Sequence, residues 1–217
     1  MEEKLLTLKE LGRHAETLSE MVIEQHDKLQ KRLSIQDGQI KRIWDAYTAI
    51  GNTDPHQALS LLDPIRLKIL KDSDESPYWE KYKQTNHELD RLLGLLKNKD
   101  NPLDVLKETE KVIVDLLVLL NFQWEVLVVQ LGSVCDQIQL SRDTERTKVA
   151  EFRTIEPTLE DNPSGMEIKK AYAFEQEQLI LQQIELFESE QGILSQMEFV
   201  CDERDRLFPI SAGLFLR

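Results

Sequence analysis

The chain has 217 residues, of which 31% are charged and 41% are apolar, with only eight glycines and seven prolines. This composition is typical of a solvated helical protein and argues against a chain that is disordered over most of its length. The formal net charge is −13, and the acidic opening segment lacks the continuous apolar region of a signal peptide, so we expect a cytoplasmic protein.

Apolar residues at steps of three and four predict a first long helix over about residues 5–50. Two polar side chains, His26 and Gln36, fall on its predicted core positions. Two successive steps of four lead up to His26 and predict a stutter that locally unwinds a supercoil. Gly51 is expected to end the helix in the left-handed conformation.

Short helices are predicted between residues 52 and 101, where Asp-Pro, Ser-Pro and Asn-Pro pairs recur. Each pair combines a side-chain oxygen that can cap a helix with a proline suited to its first turn. The predicted helices cover about residues 55–62, 64–71 and 77–97. We therefore interpret residues 52–101 as a connector of short helices.

The strongest pattern in the chain is an apolar ladder within a second long helix, predicted over about residues 102–156, a rod on the order of 80 Å. The ladder consists of Leu106, Ile113, Leu117, Leu120, Trp124, Leu127, Leu131, Val134 and Ile138. A second apolar stripe consists of Val105, Val112, Leu116, Leu119, Phe122, Val126 and Val129. A single partner helix cannot cover both stripes, so we expect this helix to have neighbours on two sides or to lie at an oligomer interface.

Residues 112–131 approach the length of a transmembrane helix. Five polar or charged residues interrupt this run, and a central ionised residue alone costs about 2.5–3.5 kcal/mol on insertion. We therefore expect a buried core helix and no membrane span.

A last helix is predicted over about residues 166–207, after a turn around residues 160–165. It should return antiparallel to the preceding helix. The predicted fold is all-α, an elongated bundle of long antiparallel coiled-coil-like helices with short helices between them. Its segments are a long N-terminal helix (1–51), a connector (52–101), a helical hairpin (102–207) and an apolar C-terminal tail (208–217), which we expect to form one structural unit.

The tail is the one candidate site, because large apolar residues there surround a proline that we expect to end the last helix. Either the tail folds back onto the bundle, or it is a short peptide that docks into a partner. The candidate partner-binding residues are Phe208, Ile210, Leu214, Phe215 and Leu216.

Motifs that carry chemistry are missing. The sequence has no nucleophile elbow, no phosphate-binding loop, and no Cys or His spacing suited to a metal. We expect no catalytic residues, no cofactor and no metal. The two cysteines, Cys135 and Cys201, are interpreted as buried free thiols on the two long helices.

Charge is unevenly distributed, because residues 102–217 hold 11 basic and 22 acidic side chains, which is −11 of the total −13. Such a surface repels phosphate backbones and anionic lipids and attracts basic partners. We expect a non-enzymatic protein-protein interaction subunit (assembly, adaptor or scaffold), homo- or hetero-oligomeric, that binds neither membrane nor, through its acidic half, nucleic acid. The alternative is an acidic chaperone or regulator that masks a client segment, and a weaker one is a bundle-type metalloprotein or enzyme.

Overall fold

The computed structural model describes residues 2–52, 62, 65, 68–69, 75–97, 103–159 and 163–215, with side chains described from Leu8 to Leu214. Within these ranges the bounded elements are α1 (Glu2–Ala49), α2 (Ser76–Lys97), α3 (Leu103–Ile155), a 3-10 turn (Glu156–Thr158) and α4 (Pro163–Phe215), with no strand. The predicted all-α bundle of long, mutually packed helices is confirmed. The predicted short helices at 55–62 and 64–71 lie outside the described residues, apart from single positions.

The helix ends follow from local sequence. Gly51 has a φ of +83°, and its N–H donates to the carbonyl of Thr48 at 3.0 Å, so the predicted left-handed end of α1 is confirmed. α4 begins at Pro163, three residues before the predicted start, because proline is suited to a helical first turn.

The core seam of α1 differs from the prediction at one position. Every seventh residue is buried, and this row consists of Ala15, Val22, Leu29, Gln36 and Ile43. His26 is exposed, whereas Gln25 is half-buried. Gln25 restores the step of three after Val22, so placing His26 in the core, with a stutter at that point, was wrong. The burial of Gln36 is confirmed.

The chain divides into two compact units, and α1, α3 and α4 contribute residues to both. Unit 1 comprises residues 1–29 and 127–196, and unit 2 comprises residues 30–126 and 197–217. Unit 1 has a core of Ala15, Leu18, Ile138, Ile184 and Phe187. Three helices therefore build its core.

The pairing of α3 with α4 in unit 1 is antiparallel. Lys148 forms an ion pair with Glu175 at 3.1 Å, and nearer the N-terminus of α3, Glu145 accepts a hydrogen bond from Gln183 at 2.8 Å. Residues nearer the start of α3 therefore contact residues nearer the end of α4. The predicted antiparallel arrangement of the last two helices is confirmed in this unit.

In unit 2 the two long helices and the second half of α1 are joined by α2. The ring of Tyr78 on α2 lies 6.2 Å from that of Phe122 on α3. Buried side chains come from all four helices and from position 62, and include Ile40, Leu62, Leu89, Leu117 and Val200. The number of helices around the core is therefore larger here than in unit 1.

Candidate interaction surfaces

The predicted C-terminal tail is part of α4. The helix continues to Phe215 with Pro209 inside it, so the prediction that proline ends this helix was wrong. Proline lacks the N–H that would donate to the carbonyl four residues earlier, but packing can offset that loss. The buried neighbours Leu207 and Phe208 supply such packing.

The five candidate partner-binding residues do not form a free peptide. Phe208 is buried in unit 2, whereas Ile210 and Leu214 are half-buried. The side chain of Phe215 and the whole of Leu216 lie outside the described residues. Of the two alternatives for the tail, the structure supports packing onto the bundle at Phe208.

The outer face of α3, defined here as Val112, Leu119, Val126, Val129 and Leu140, lies opposite the main ladder. Its first part belongs to unit 2, where Val112 and Leu119 are buried. Of residues 112–123 on this helix, only Asp115 and Asn121 are more than slightly exposed. The predicted neighbours on two sides of α3 are therefore present in unit 2.

The same outer face is exposed in unit 1. Leu140 lies three heptads after Leu119 and is 69% exposed, and Val129 is 68% exposed. The buried positions of α3 in this unit, including Leu131 and Ile138, follow the main ladder alone. In unit 1, α3 also packs against two helices, α1 and α4, as predicted, but no helix of the described part of this unit covers its outer face.

The outer face of α4 is defined here as Phe174, Leu181, Glu185, Glu188 and Phe199, and all five side chains are exposed. In unit 2 the ring of Phe199 lies 5.8 Å from that of Trp79 on α2, in an edge-on arrangement. Nearby, Tyr82 donates a hydrogen bond to Glu203 and Arg206 donates one to Asn86. α2 thus contacts α3 at Phe122 and α4 at Phe199 in unit 2, where the side chain of Phe199 remains 40% exposed.

In unit 1 the outer face of α4 carries exposed apolar and acidic side chains together. Phe174 is 56% exposed and Leu181 is 37% exposed. Glu185 and Glu188 follow on the same face and are exposed, and neither forms an ion pair with a described residue. No lysine or arginine occurs on α4 between Lys170 and Arg204.

A row of buried polar residues on α4 was missed by the sequence analysis, which followed the apolar row beside it. Every seventh residue of this row is buried, and the row consists of Gln176, Gln183, Glu190, Met197, Arg204 and Ser211. Five of its six members are polar, Met197 being the exception, so its sequence signal is a heptad repeat of polar residues. Polar groups at such positions restrict the register in which helices pack, at a cost in stability.

Arg204 is the largest member of this row and is only 2% exposed. Its Nη2 donates to Oδ1 of Asn121 at 2.6 Å, and its guanidinium carbon lies 5.2 Å from the ring centroid of Trp124. Burial lowers the pKa of Arg204, because a charged group loses hydration there. Asn121 also lines an open groove of about 750 Å³ along α1 in unit 2.

The two cysteines differ in burial, although both are free. Cys201 is buried as predicted, but Cys135 is exposed, which corrects the interpretation of two buried thiols. The Sγ of Cys135 donates to Oε1 of Glu190 at 3.5 Å. Burial and the neighbouring carboxylate raise the pKa of Cys135 to about 11, so its reactive thiolate form is scarce at neutral pH.

Two tyrosines of α2 have raised pKa values. Burial raises the pKa of Tyr78, and burial together with the hydrogen bond to Glu203 raises that of Tyr82. Both phenols therefore remain protonated at neutral pH. Within the described ranges, no group of three or more His, Cys, Asp or Glu side chains is arranged to hold a metal ion.

The segment Leu103–Thr158 is long and apolar enough, by length and composition, to cross a membrane, and 61% of its most apolar window is buried inside the structure. The buried core helix of a folded bundle has the same properties. Length and hydropathy alone therefore do not distinguish the two.

Comparison with protein-family models, with curated proteins and with solved structures found no match to this chain.

Proposed function

We propose that this protein is a non-enzymatic interaction subunit, serving as an assembly, adaptor or scaffold component, and that it binds a protein partner through unit 1. The observation that carries the proposal is the contrast along α3. Phe122 is buried beside Tyr78 of α2 in unit 2, whereas Val129, one heptad later on α3, is 68% exposed in unit 1, and Leu140 is 69% exposed. Apolar side chains at helix-packing positions gain free energy when a further helix covers them, about 1.5–3 kcal/mol for a large side chain that becomes fully buried.

The outer face of α4 supports the same proposal. α2 contacts Phe199 on this face in unit 2, and Phe174, which is 56% exposed in unit 1, is more exposed than Phe199, at 40%. The core of unit 1 is built by three helices, and its part of α3 carries exposed apolar positions, such as Val129, of the kind that a fourth helix contacts at Phe122 in unit 2. A helix supplied by a partner is the simplest way to cover them.

A second candidate function is a chaperone or regulator that masks a basic segment of a client. Unit 1 carries ten basic and twenty acidic side chains, a formal charge of −10, against seventeen and twenty in unit 2. This asymmetry favours a basic client over a neutral one. The two functions differ in persistence, since a chaperone releases its client whereas an assembly subunit stays in the complex.

Site-specific photo-crosslinking in the native host tests the proposal. A photoreactive residue at Leu140 should yield an adduct of defined mass, and Val129→Lys should abolish it. Leu103 lies on the same helix and is similarly exposed at 66%, so it provides the matched control position and should yield none. A chain that is monomeric by light scattering and forms no adduct at Leu140 would contradict the proposed function.

A further inference from the structure

We propose that the outer face of α4 in unit 1, formed by Phe174, Leu181, Glu185 and Glu188, docks a basic amphipathic helix of a partner protein. This inference rests on the proposed function and names the kind of partner that unit 1 accepts. Phe174 and Leu181 are one heptad apart, as are Leu181 and Glu188. Residues at this spacing lie along one line of the helix surface, which a second helix can follow.

The apolar part of this surface is suited to a helix. In unit 2, the aromatic side chain of Trp79 on α2 packs edge-on against Phe199 of the same outer face. The structure therefore contains one helix that already packs on this face of α4 through aromatic contacts. Phe174, 56% exposed, offers an equivalent ring in unit 1.

The charged part of the surface selects a basic partner. Glu185 and Glu188 are exposed, and the nearest basic residues of α4 in sequence are Lys170 and Arg204. Two other carboxylates of this helix in unit 1 are already engaged, since Glu175 pairs with Lys148 and Glu190 accepts a hydrogen bond from Cys135. Lysine or arginine side chains beside an apolar stripe complement this arrangement.

Charge also disfavours binding of a second copy, a nucleic acid or a membrane at this surface. A second copy of unit 1 would bring together two formal charges of −10, which disfavours self-association through this face. Nucleic-acid phosphates and anionic lipid head groups would be repelled for the same reason. A basic protein helix is the occupant that satisfies both the apolar and the acidic side chains.

The test uses the full-length protein and a synthetic peptide in which leucines form one helical face and lysines the other. Two control peptides have the same composition in scrambled order, or glutamate in place of lysine. Binding is measured by fluorescence anisotropy at near-physiological salt. The amphipathic lysine peptide should bind at least about tenfold more tightly than either control, because only this peptide forms a helix with both an apolar and a basic face.

Two charge-reversed variants locate the site. Glu185→Lys with Glu188→Lys should weaken binding of the lysine peptide by about tenfold or more, since two ion contacts become repulsive. Glu16→Lys with Glu20→Lys changes the charge of unit 1 by the same amount on α1 and should weaken binding by less than about threefold, the effect of bulk charge alone. Equal losses in the two variants would overturn the proposal, because binding would then be diffuse attraction to an acidic surface.

A third variant tests the apolar contacts. Phe174→Ser with Leu181→Ser should weaken peptide binding by about fivefold or more, whereas binding unchanged by it would exclude helix docking at this face. If the scrambled peptide binds as tightly as the amphipathic one, the proposal is overturned and the partner is an extended basic segment. If the protein forms a dimer that Phe174→Ser abolishes, the proposal is overturned and the surface binds a second copy of this chain. In each case a crosslinked partner at Leu140 would leave the proposed function intact, so the two failures are distinguishable.

Discussion

Truncation of leucine at two positions of the α3 outer face separates a covered region from an uncovered one. Leu119 in unit 2 is 2% exposed and Leu140 in unit 1 is 69% exposed, although both lie on the same line of the helix. We expect Leu119→Ala to destabilise the protein strongly and Leu140→Ala to change its stability very little. The pair controls for helix, residue type and substitution at once.

The magnitudes follow from burial. Leucine to alanine removes roughly three carbon groups at about 0.8 kcal/mol each, and the cavity left behind adds to this, so Leu119→Ala should cost about 3–4 kcal/mol. Less than a third of the Leu140 surface is buried, which reduces the transfer loss to about 0.7 kcal/mol. The better helix propensity of alanine offsets a few tenths of that, so Leu140→Ala should change stability by at most about 0.5 kcal/mol.

Equilibrium urea unfolding of the purified protein, followed by far-ultraviolet circular dichroism, measures both free energies of unfolding. Leu119→Ala should shift the midpoint well below that of the parent protein, and Leu140→Ala should overlay it. A loss at Leu140 as large as that at Leu119 would refute the reasoning, because it would mean that the outer face is covered in unit 1 as well.

Three further substitutions have definite expected outcomes. Pro209→Ala should raise the free energy of unfolding by about 1–3 kcal/mol, because alanine supplies the N–H for the carbonyl of Asp205; a loss of stability would mean that the helix does not continue through this position. Burial raises the pKa of Asp115, so ionisation of this side chain opposes folding at neutral pH, and Asp115→Asn should raise the free energy of unfolding there. This gain in stability should shrink as the pH falls through the raised pKa, because the carboxyl group then becomes protonated. A gain that persists in acid would contradict this cause. Because the pKa of Cys135 is raised to about 11, iodoacetamide at about pH 8 should alkylate it roughly a hundredfold more slowly than a free cysteine peptide. Glu190→Gln should accelerate this alkylation. An alkylation rate unchanged by Glu190→Gln would refute the role of the carboxylate.

The core seam of α1 shows which buried positions hydrophobic periodicity alone can predict. The apolar rungs Leu18, Val22 and Leu29 were predictable, because large aliphatic residues at steps of three and four have one low-energy placement. Between them, Gln25 and His26 are both polar and equally compatible with a core rung. Packing against the neighbouring helices decided between them, and it left His26 exposed.

Pro209 and the polar row of α4 also depend on tertiary packing that the sequence pattern does not show. Proline predicts a helix end because it lacks an N–H and crowds the preceding turn, yet α4 continues because Phe208 and Ser211 on either side are buried. Buried polar residues such as Gln183 were not predicted, since sequence patterns place glutamine on the surface by default. Their partners lie on another helix, as Glu145 does for Gln183.

The candidate surface itself was only partly predictable. The excess of apolar stripe on α3 indicated that more than one neighbour was required, but not along which part of the helix. The C-terminal tail was predicted as the partner-binding site because its apolar residues lie close together in sequence. Phe174 and Leu181 are separated by polar residues, and they can be recognised as one surface only when the exposed face of α4 is known.

The sequence by itself determined the long helices, the end of α1 at Gly51 and the acidic character of residues 102–217, because helix propensity, turn chemistry and charge are local properties. The tertiary structure alone decided which faces are covered. α2 has 22 residues, whereas α3 and α4 have 53 each, so α2 can cover only part of either long helix. Where it packs depends on contacts between residues far apart in sequence, such as Tyr78 with Phe122. On α3, the exposed residues Val129 and Leu140 lie beyond this contact along the helix.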